Sequence, residues 1–198
     1  LKPETSNSGE AGARFRGLGG RMESSAIVFY NRMKDAFDFV MVDPSNMVFR
    51  SMNVTDSKTY GAQLQVRWRL GEDLAVFANY CRTEGSYDET AEIHGIEGNT
   101  IAYLAKNKAN AGIEYITYDG LSGILNLKYV GPRFSDTENT EDRKMEGYVT
   151  ADVSVRAPVW SGAGVVLKAD NIFDEQYKEF PSYDAPGASF MAGLDVEM

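Results

Sequence analysis

Residues 59–70 read T-Y-G-A-Q-L-Q-V-R-W-R-L, and their alternation decides the fold. Tyr60, Ala62, Leu64, Val66, Trp68 and Leu70 fall on one side of an extended chain, and Gly61, Gln63, Gln65, Arg67 and Arg69 on the other. Successive side chains of a strand point to opposite faces, so this stretch predicts a strand with one apolar and one polar face. The division continues on both sides. Forward, the tight turn Gly71-Glu72-Asp73 leads to Leu74, Val76, Ala78 and Tyr80 set against Ala75, Phe77, Asn79 and Cys81. Backward, across a long connection through Asp43-Pro44-Ser45-Asn46, Ser24, Ala26, Val28 and Tyr30 oppose Ser25, Ile27, Phe29 and Asn31. Residues 37–49 between these two segments read as partly extended hairpin. Before them Ala11, Ala13 and Phe15 oppose Glu10, Gly12, Arg14 and Arg16, and Gly17-Leu18-Gly19-Gly20 makes the turn.

The remainder repeats the pattern. A long acidic loop over residues 84–100 leads to Ala109, Ala111, Ile113 and Tyr115 opposite Lys108, Asn110, Gly112 and Glu114. Asp119-Gly120 is a two-residue hairpin signal of the type I′ kind. Leu121, Gly123, Leu125, Leu127 and Tyr129 follow, then a long polar loop over residues 131–146, then Val149, Ala151, Val153 and Val155. Two last runs, residues 163–170 and 190–198, bring the strand candidates to about nine. Their connections alternate short and long, the arrangement of outer-membrane barrels with tight periplasmic turns and longer outer loops.

Composition narrows the function. The chain has 198 residues, 43% of them hydrophobic, and no run approaches the ~18 apolar residues of a membrane helix, although a barrel strand needs only ~10 alternating ones. A net charge of −9 argues against a nucleic-acid partner. No phosphate loop, nucleophile elbow or zinc motif is present, so no catalytic residue, metal ligand or cofactor is assigned. His94, the one histidine, sits among loop carboxylates as a solvated residue, residues 137–144 form a charged loop tip, and Cys81 is a small filler on the polar face.

The sequence A-D-N-I-F-D-E-Q-Y, residues 169–177, is followed by Y-D-A-P-G-A-S-F, residues 183–190. Asp170, Asn171, Phe173, Tyr177, Pro186, Gly187 and Phe190 in these blocks resemble the closing motifs of TonB-dependent outer-membrane receptors. Two departures stand out: Ala188 occupies the usual arginine position, and Met198 ends the chain where an aromatic is expected two residues further on. The resemblance implies an all-β, antiparallel up-and-down transmembrane barrel, with residues 1–198 as the C-terminal portion and about nine of ~22 strands. An odd strand count agrees with a portion rather than a whole, since single-chain bacterial barrels have even numbers. The plug domain and the N-terminal strands would lie upstream. The family imports a scarce nutrient, such as a ferric siderophore, haem or a cobalamin, across the bacterial outer membrane. Its implied partners are that small ligand, membrane lipid and lipopolysaccharide, and the TonB complex, which acts through the plug. A passive porin or surface adhesin built on the same barrel, and a soluble carbohydrate-binding β-sandwich, remain the alternatives.

Particular side chains follow from the barrel reading. The apolar face is expected to meet lipid and the polar face the lumen. Trp68 and Trp160 near the short turns, and Tyr129 and Tyr148 near the opposite rim, are the candidate interfacial aromatics. Lys128, Asp152 and Lys168, near mid-height on consecutive strands, are candidates for an inward charge ladder. Arg133, just after Gly131-Pro132, is the candidate ligand-side residue. Asp170 to Asp174 read as a loop cap rather than as calcium ligands.

Overall fold

The computed structural model describes residues 1–43, 48–88, 95–160 and 162–196, and His94 lies outside them. Nine strands form one antiparallel sheet, each pairing with its neighbours in sequence order. They are β1 (Thr5–Gly17), β2 (Met22–Asp43), β3 (Val48–Arg69), β4 (Leu74–Tyr87), β5 (Asn107–Ile116), β6 (Ser122–Val130), β7 (Tyr148–Trp160), β8 (Ala163–Asp170) and β9 (Ser189–Val196). Two small pairs, Arg133–Phe134 with Lys144–Met145 and Lys178–Phe180 with Tyr183–Asp184, sit in the long connections. No second sheet packs on the first among the described residues, which removes the β-sandwich alternative.

The register carries the sequence alternation across the whole sheet. Met22, Trp68, Val76, Ile113, Leu125, Val153, Ala169 and Phe190 form one continuous apolar row from β2 to β9. Two residues higher, Ser24, Val66, Ala78, Ala111, Leu127 and Ala151 align likewise. Much of this face is uncovered: Leu64 is 51% exposed and Leu194 73%. The total accessible surface is 13233 Å², where a compact globule of this mass would show about 9,300 Å². A one-layer sheet with an uncovered apolar face needs a non-aqueous neighbour on that side.

The apolar stretch also slides along the strands. In β3 it is centred near Gln65, whose row runs through Asn79, Asn110 and Lys128 to Thr150. The apolar stretch of β9 is centred near Gly193, about six residues below that row after six strand-to-strand steps. A slip of about one residue, ~3.3 Å, for every ~4.8 Å of lateral travel corresponds to a strand tilt of about 35°, the tilt of membrane barrels.

The opposite face holds polar groups that satisfy one another. Asn79 donates to Asn110 Oδ1 at 3.2 Å, and Asn110 donates to Asn126 Oδ1, an amide ladder across β4, β5 and β6. Arg67 pairs with Glu114, Arg16 with Glu23 at 3.1 Å and Arg156 with Asp195 at 2.6 Å. Bulky rings alternate with glycines: an added Cβ at Gly112 would lie 2.5 Å from Phe77 Cζ, and one at Gly61 2.8 Å from Phe29 Cζ.

Several expectations are corrected. The extended hairpin expected over residues 37–49 is present at 37–43 and 48–49 and longer than expected, reaching residue 58, so β2 and β3 continue well past the apolar stretch as a ribbon, with register shifts between Met33 and Phe37. Glu84, expected in the acidic loop, belongs to β4. The Asp119-Gly120 turn is a three-residue loop rather than type I′. Gly120 at φ 90° is left-handed, but Asp119 is not, and Thr117 N–H donates to Leu121 O at 2.8 Å while Gly120 N–H donates to Thr117 O at 3.1 Å. A turn closed by one left-handed glycine is, after the mirror-image turns, a common way to join two antiparallel strands.

Candidate functional site at the long-loop rim

Arg133 is the sequence candidate that the fold treats most unusually. After β6, Gly131 N–H donates to Asn107 O at 2.8 Å, and the chain then turns over the end of the polar face. The short pair of Arg133 with Met145 fixes that turn. Gly147 permits the close return: a Cβ there would fall 2.9 Å from Val130 O. Arg133 is 7% exposed, and its guanidinium carbon lies 5.8 Å from the centroid of the Tyr148 ring. Its Nη2 donates to Lys178 O at 2.9 Å and Glu179 O at 3.4 Å, whereas Nη1 is buried without a partner among the described residues. A buried guanidinium N–H normally finds an acceptor, and an unmet one costs free energy that a ligand oxygen would recover.

Tyr148 is the floor of this site. It is 5% exposed, stacks on Tyr177 at 4.0 Å between centroids, and donates its hydroxyl to Glu179 at 3.4 Å. It therefore is not an interfacial aromatic: it stands on the polar face, opposite to Tyr129. Burial, and then the Glu179 and Asp152 carboxylates, hold the Tyr177 phenol above its ordinary pKa, because each disfavours the phenolate. Arg133, Tyr148, Glu179, Lys108, Lys128 and Tyr103 line a cavity of about 280 Å³. Three cations against one carboxylate give its wall a positive excess in a chain that is otherwise acidic. A second cavity of about 520 Å³ adjoins it through Tyr103, bounded by Lys144, Tyr177, Lys178 and Pro181.

The closing motif holds this rim together. Asn171, 5% exposed, accepts from Glu175 N–H at 3.0 Å and donates to Glu175 O at 3.0 Å and Pro186 O at 3.4 Å. Its own N–H donates to Asp152 Oδ1 at 2.9 Å, and Ile172 N–H donates to Ala151 O at 2.8 Å, tying the loop to β7. Asp174 accepts Ala188 N–H at 2.9 Å, and a Cβ at Gly187 would fall 2.4 Å from that carboxylate and oblige it to shift. Tyr177 brings its ring onto Tyr148. Phe173 and Phe190 remain exposed, Phe190 on the apolar face. Asp170 pairs with Ser189 at the top of β8.

The other candidates are placed as follows. Lys128, Asp152 and Lys168 share the polar face but not a row: they stand opposite Thr150, Asn126 and Ser154. No ion pair joins them; Asp152 instead caps Asn171. Trp68 and Trp160 lie at the short-turn ends of β3 and β7, and both are exposed. Tyr129 is on the apolar face in the row of Leu64 and Tyr80. Tyr30 and Tyr60, paired with each other near the long-loop end of that face, were not among the candidates, although parity and height together mark them.

An antiparallel meander with an unbroken apolar face, a polar and internally bonded opposite face, tilted strands and an elaborated loop rim is part of the wall of a membrane β-barrel. Residues 1–172 match the family described as TonB dependent receptor-like, beta-barrel, and the chain belongs to that family. It is 25% identical over 181 residues to the metal-pseudopaline receptor CntO of Pseudomonas aeruginosa, covering 89% of this chain and 25% of the receptor. It is 26% identical over 189 residues to the ferrioxamine B receptor of Salmonella typhimurium, with the same two coverages. The chain thus spans about a quarter of the length of these relatives. Among solved structures, the ferric citrate transporter FecA in the unliganded form superposes with a TM-score of 0.76, 18% identity, 98% of this chain and 31% of that one. The ferric yersiniabactin uptake receptor FyuA of Yersinia pestis gives 0.73, 20%, 97% and 28%. The fold is therefore that of a partial TonB-dependent receptor barrel.

Proposed function

We propose that this chain supplies barrel wall and outer loops to an outer-membrane receptor that imports a scarce nutrient, a metal held by an organic chelator, with TonB-coupled energy. In this reading residues 1–198 are the C-terminal portion of the barrel, its apolar face meets lipid and its polar face surrounds a plug. The observation that carries the ligand assignment is the buried Arg133 with its unspent Nη1 donor, in a cation-rich cavity at the long-loop rim. Such a site favours a ligand presenting carboxylate, phenolate or hydroxamate oxygens and an overall negative charge. The names of the relatives, receptors for metal-pseudopaline and for ferrioxamine B, support a metal held by an organic chelator as the cargo.

The test uses the complete receptor in cells deprived of iron. Uptake of anionic ferric chelates should stop on addition of a protonophore, and Arg133→Ala should weaken chelate binding about tenfold or more, with Arg133→Lys intermediate. Uptake that survives the protonophore would point to the passive porin instead. Unchanged binding in Arg133→Ala would remove the ligand role of this side chain.

A further inference from the structure

The rim cavity is lined by opposite charges that leave one another unpaired. Glu179 lies on the small hairpin that pairs Lys178–Phe180 with Tyr183–Asp184, in the connection between β8 and β9. Arg133 Nη2 reaches the main-chain carbonyl of Glu179 at 3.4 Å, so the two residues touch. A guanidinium this near a carboxylate ordinarily takes it as a bidentate partner. Here the carboxylate turns instead to the Tyr148 hydroxyl, at 3.4 Å, and among the described residues that is its one hydrogen bond. Nor does any ion pair among the described residues join Glu179 to Arg133, Lys108 or Lys128, although all four line the same cavity. Glu179 is exposed, and Arg133 Nη1 is uncommitted. The lysines come from the wall strands β5 and β6 and the carboxylate from the loop that folds over Arg133, so cations and anion belong to different parts of the lining.

We infer that this cavity takes an amphoteric chelate, with anionic oxygens on Arg133 and the two lysines and a protonated amine on Glu179. The inference rests on the receptor reading above and adds a second charge to its ligand. A closed ion pair between Arg133 and Glu179 would deny the site to both kinds of group. Kept apart, Nη1 offers a donor to an anionic oxygen, and the carboxylate offers free lone pairs to an ammonium. A ligand then has no internal ion pair to break before it binds. A chelate of overall negative charge still fits, because three cations face one carboxylate. Glu179 is thus a specificity-determining residue: it favours a chelate that carries an amine over the same chelate with the amine blocked, and disfavours a purely anionic one.

The experiment is calorimetric titration of the complete receptor in detergent with a ferric tris-catecholate bearing a pendant primary amine, and with the same complex after acetylation of that amine. The wild type should bind the amine form about fivefold tighter. Glu179→Gln keeps an acceptor for Tyr148 and should bring the two forms within about twofold of each other, and Glu179→Asp should retain part of the preference. Arg133→Ala should weaken both forms and leave their ratio in place. If Glu179 served only to hold the hairpin, its substitution would change both affinities together, and that result overturns the assignment. So does a wild type that binds the two forms equally or binds neither. Should Glu179→Gln fold poorly, a dimethylated and still protonated tail decides on the wild type: affinity matching the amine form upholds the carboxylate's role, and affinity matching the acetylated form overturns it. Failure of the receptor reading shows separately, as uptake that survives the protonophore whatever the ratio of the two affinities.

Discussion

Leu64→Arg is the substitution most sensitive to what covers the apolar face. At about 35° of tilt each residue of β3 climbs ~2.7 Å along the barrel axis, so the ten steps from Tyr60 to Leu70 span about 27 Å, close to the ~25 Å apolar band of outer-membrane barrels. Residue 64 then lies within ~3 Å of the midplane. Its side chain is 51% exposed, so an arginine there would meet little steric resistance and the cost reports the solvent alone. Arginine facing lipid at the midplane costs about 2–4 kcal/mol, and near an interface about 0–1. Leu64→Arg should therefore destabilise the complete barrel by about 2–4 kcal/mol, Leu70→Arg by about 1 or less, and the luminal Gln63→Arg by less than Leu64→Arg. Urea unfolding of the receptor refolded into lipid vesicles measures all three. If Leu64→Arg costs no more than the ~0.5 kcal/mol of an ordinary surface change, or no more than Gln63→Arg, hydrocarbon does not cover this face and the reasoning fails.

Other outcomes follow from the packing. Gly112→Ala places a Cβ 2.4 Å from Leu125 O and should cost about 1–3 kcal/mol by thermal unfolding, because the carbonyl belongs to the sheet ladder and cannot move aside. Asn171→Ala removes three buried hydrogen bonds at a left-handed position (φ 49°) and should destabilise the rim loop by about 1–3 kcal/mol, seen as faster proteolysis near Glu175. Arg67→Ala should cost about 1 kcal/mol or less, since its partner Glu114 sits in a half-solvated wall, and high salt should shrink the difference. Tyr177 keeps its proton in the folded rim at pH values where an unfolded tyrosine has lost it. Rim stability therefore falls as pH rises above the ordinary tyrosine pKa, and Tyr177→Phe should blunt that alkaline loss in a phenolate absorbance titration.

Parity along the chain was enough to read the wall. Every residue from Tyr60 to Leu70 stands on the face its spacing predicts, because a strand has only two sides and pairing leaves them unchanged. The same rule, applied consistently, places Tyr148 with Thr150 and Asp152 inside; judging it by height alone put it in the interfacial ring. The ribbon beyond Lys34 was harder to read because the register shifts between Met33 and Phe37 interrupt the alternation. Arg133 could be singled out by its place after Gly131-Pro132, but its burial could not. That depends on carbonyls of Lys178 and Glu179, some 45 residues later, folding back over it.

The one-residue slip per strand ties every turn at the tight rim to the geometry of all that follows. Deleting a residue from Leu70-Gly71-Glu72-Asp73 would reverse inside and outside for β4 or shift it along β3, before the next long connection could absorb the change. An insertion among residues 131–146 changes neither. Length change is thus tolerated in the long connections, while the strand wall beneath them is held to one register.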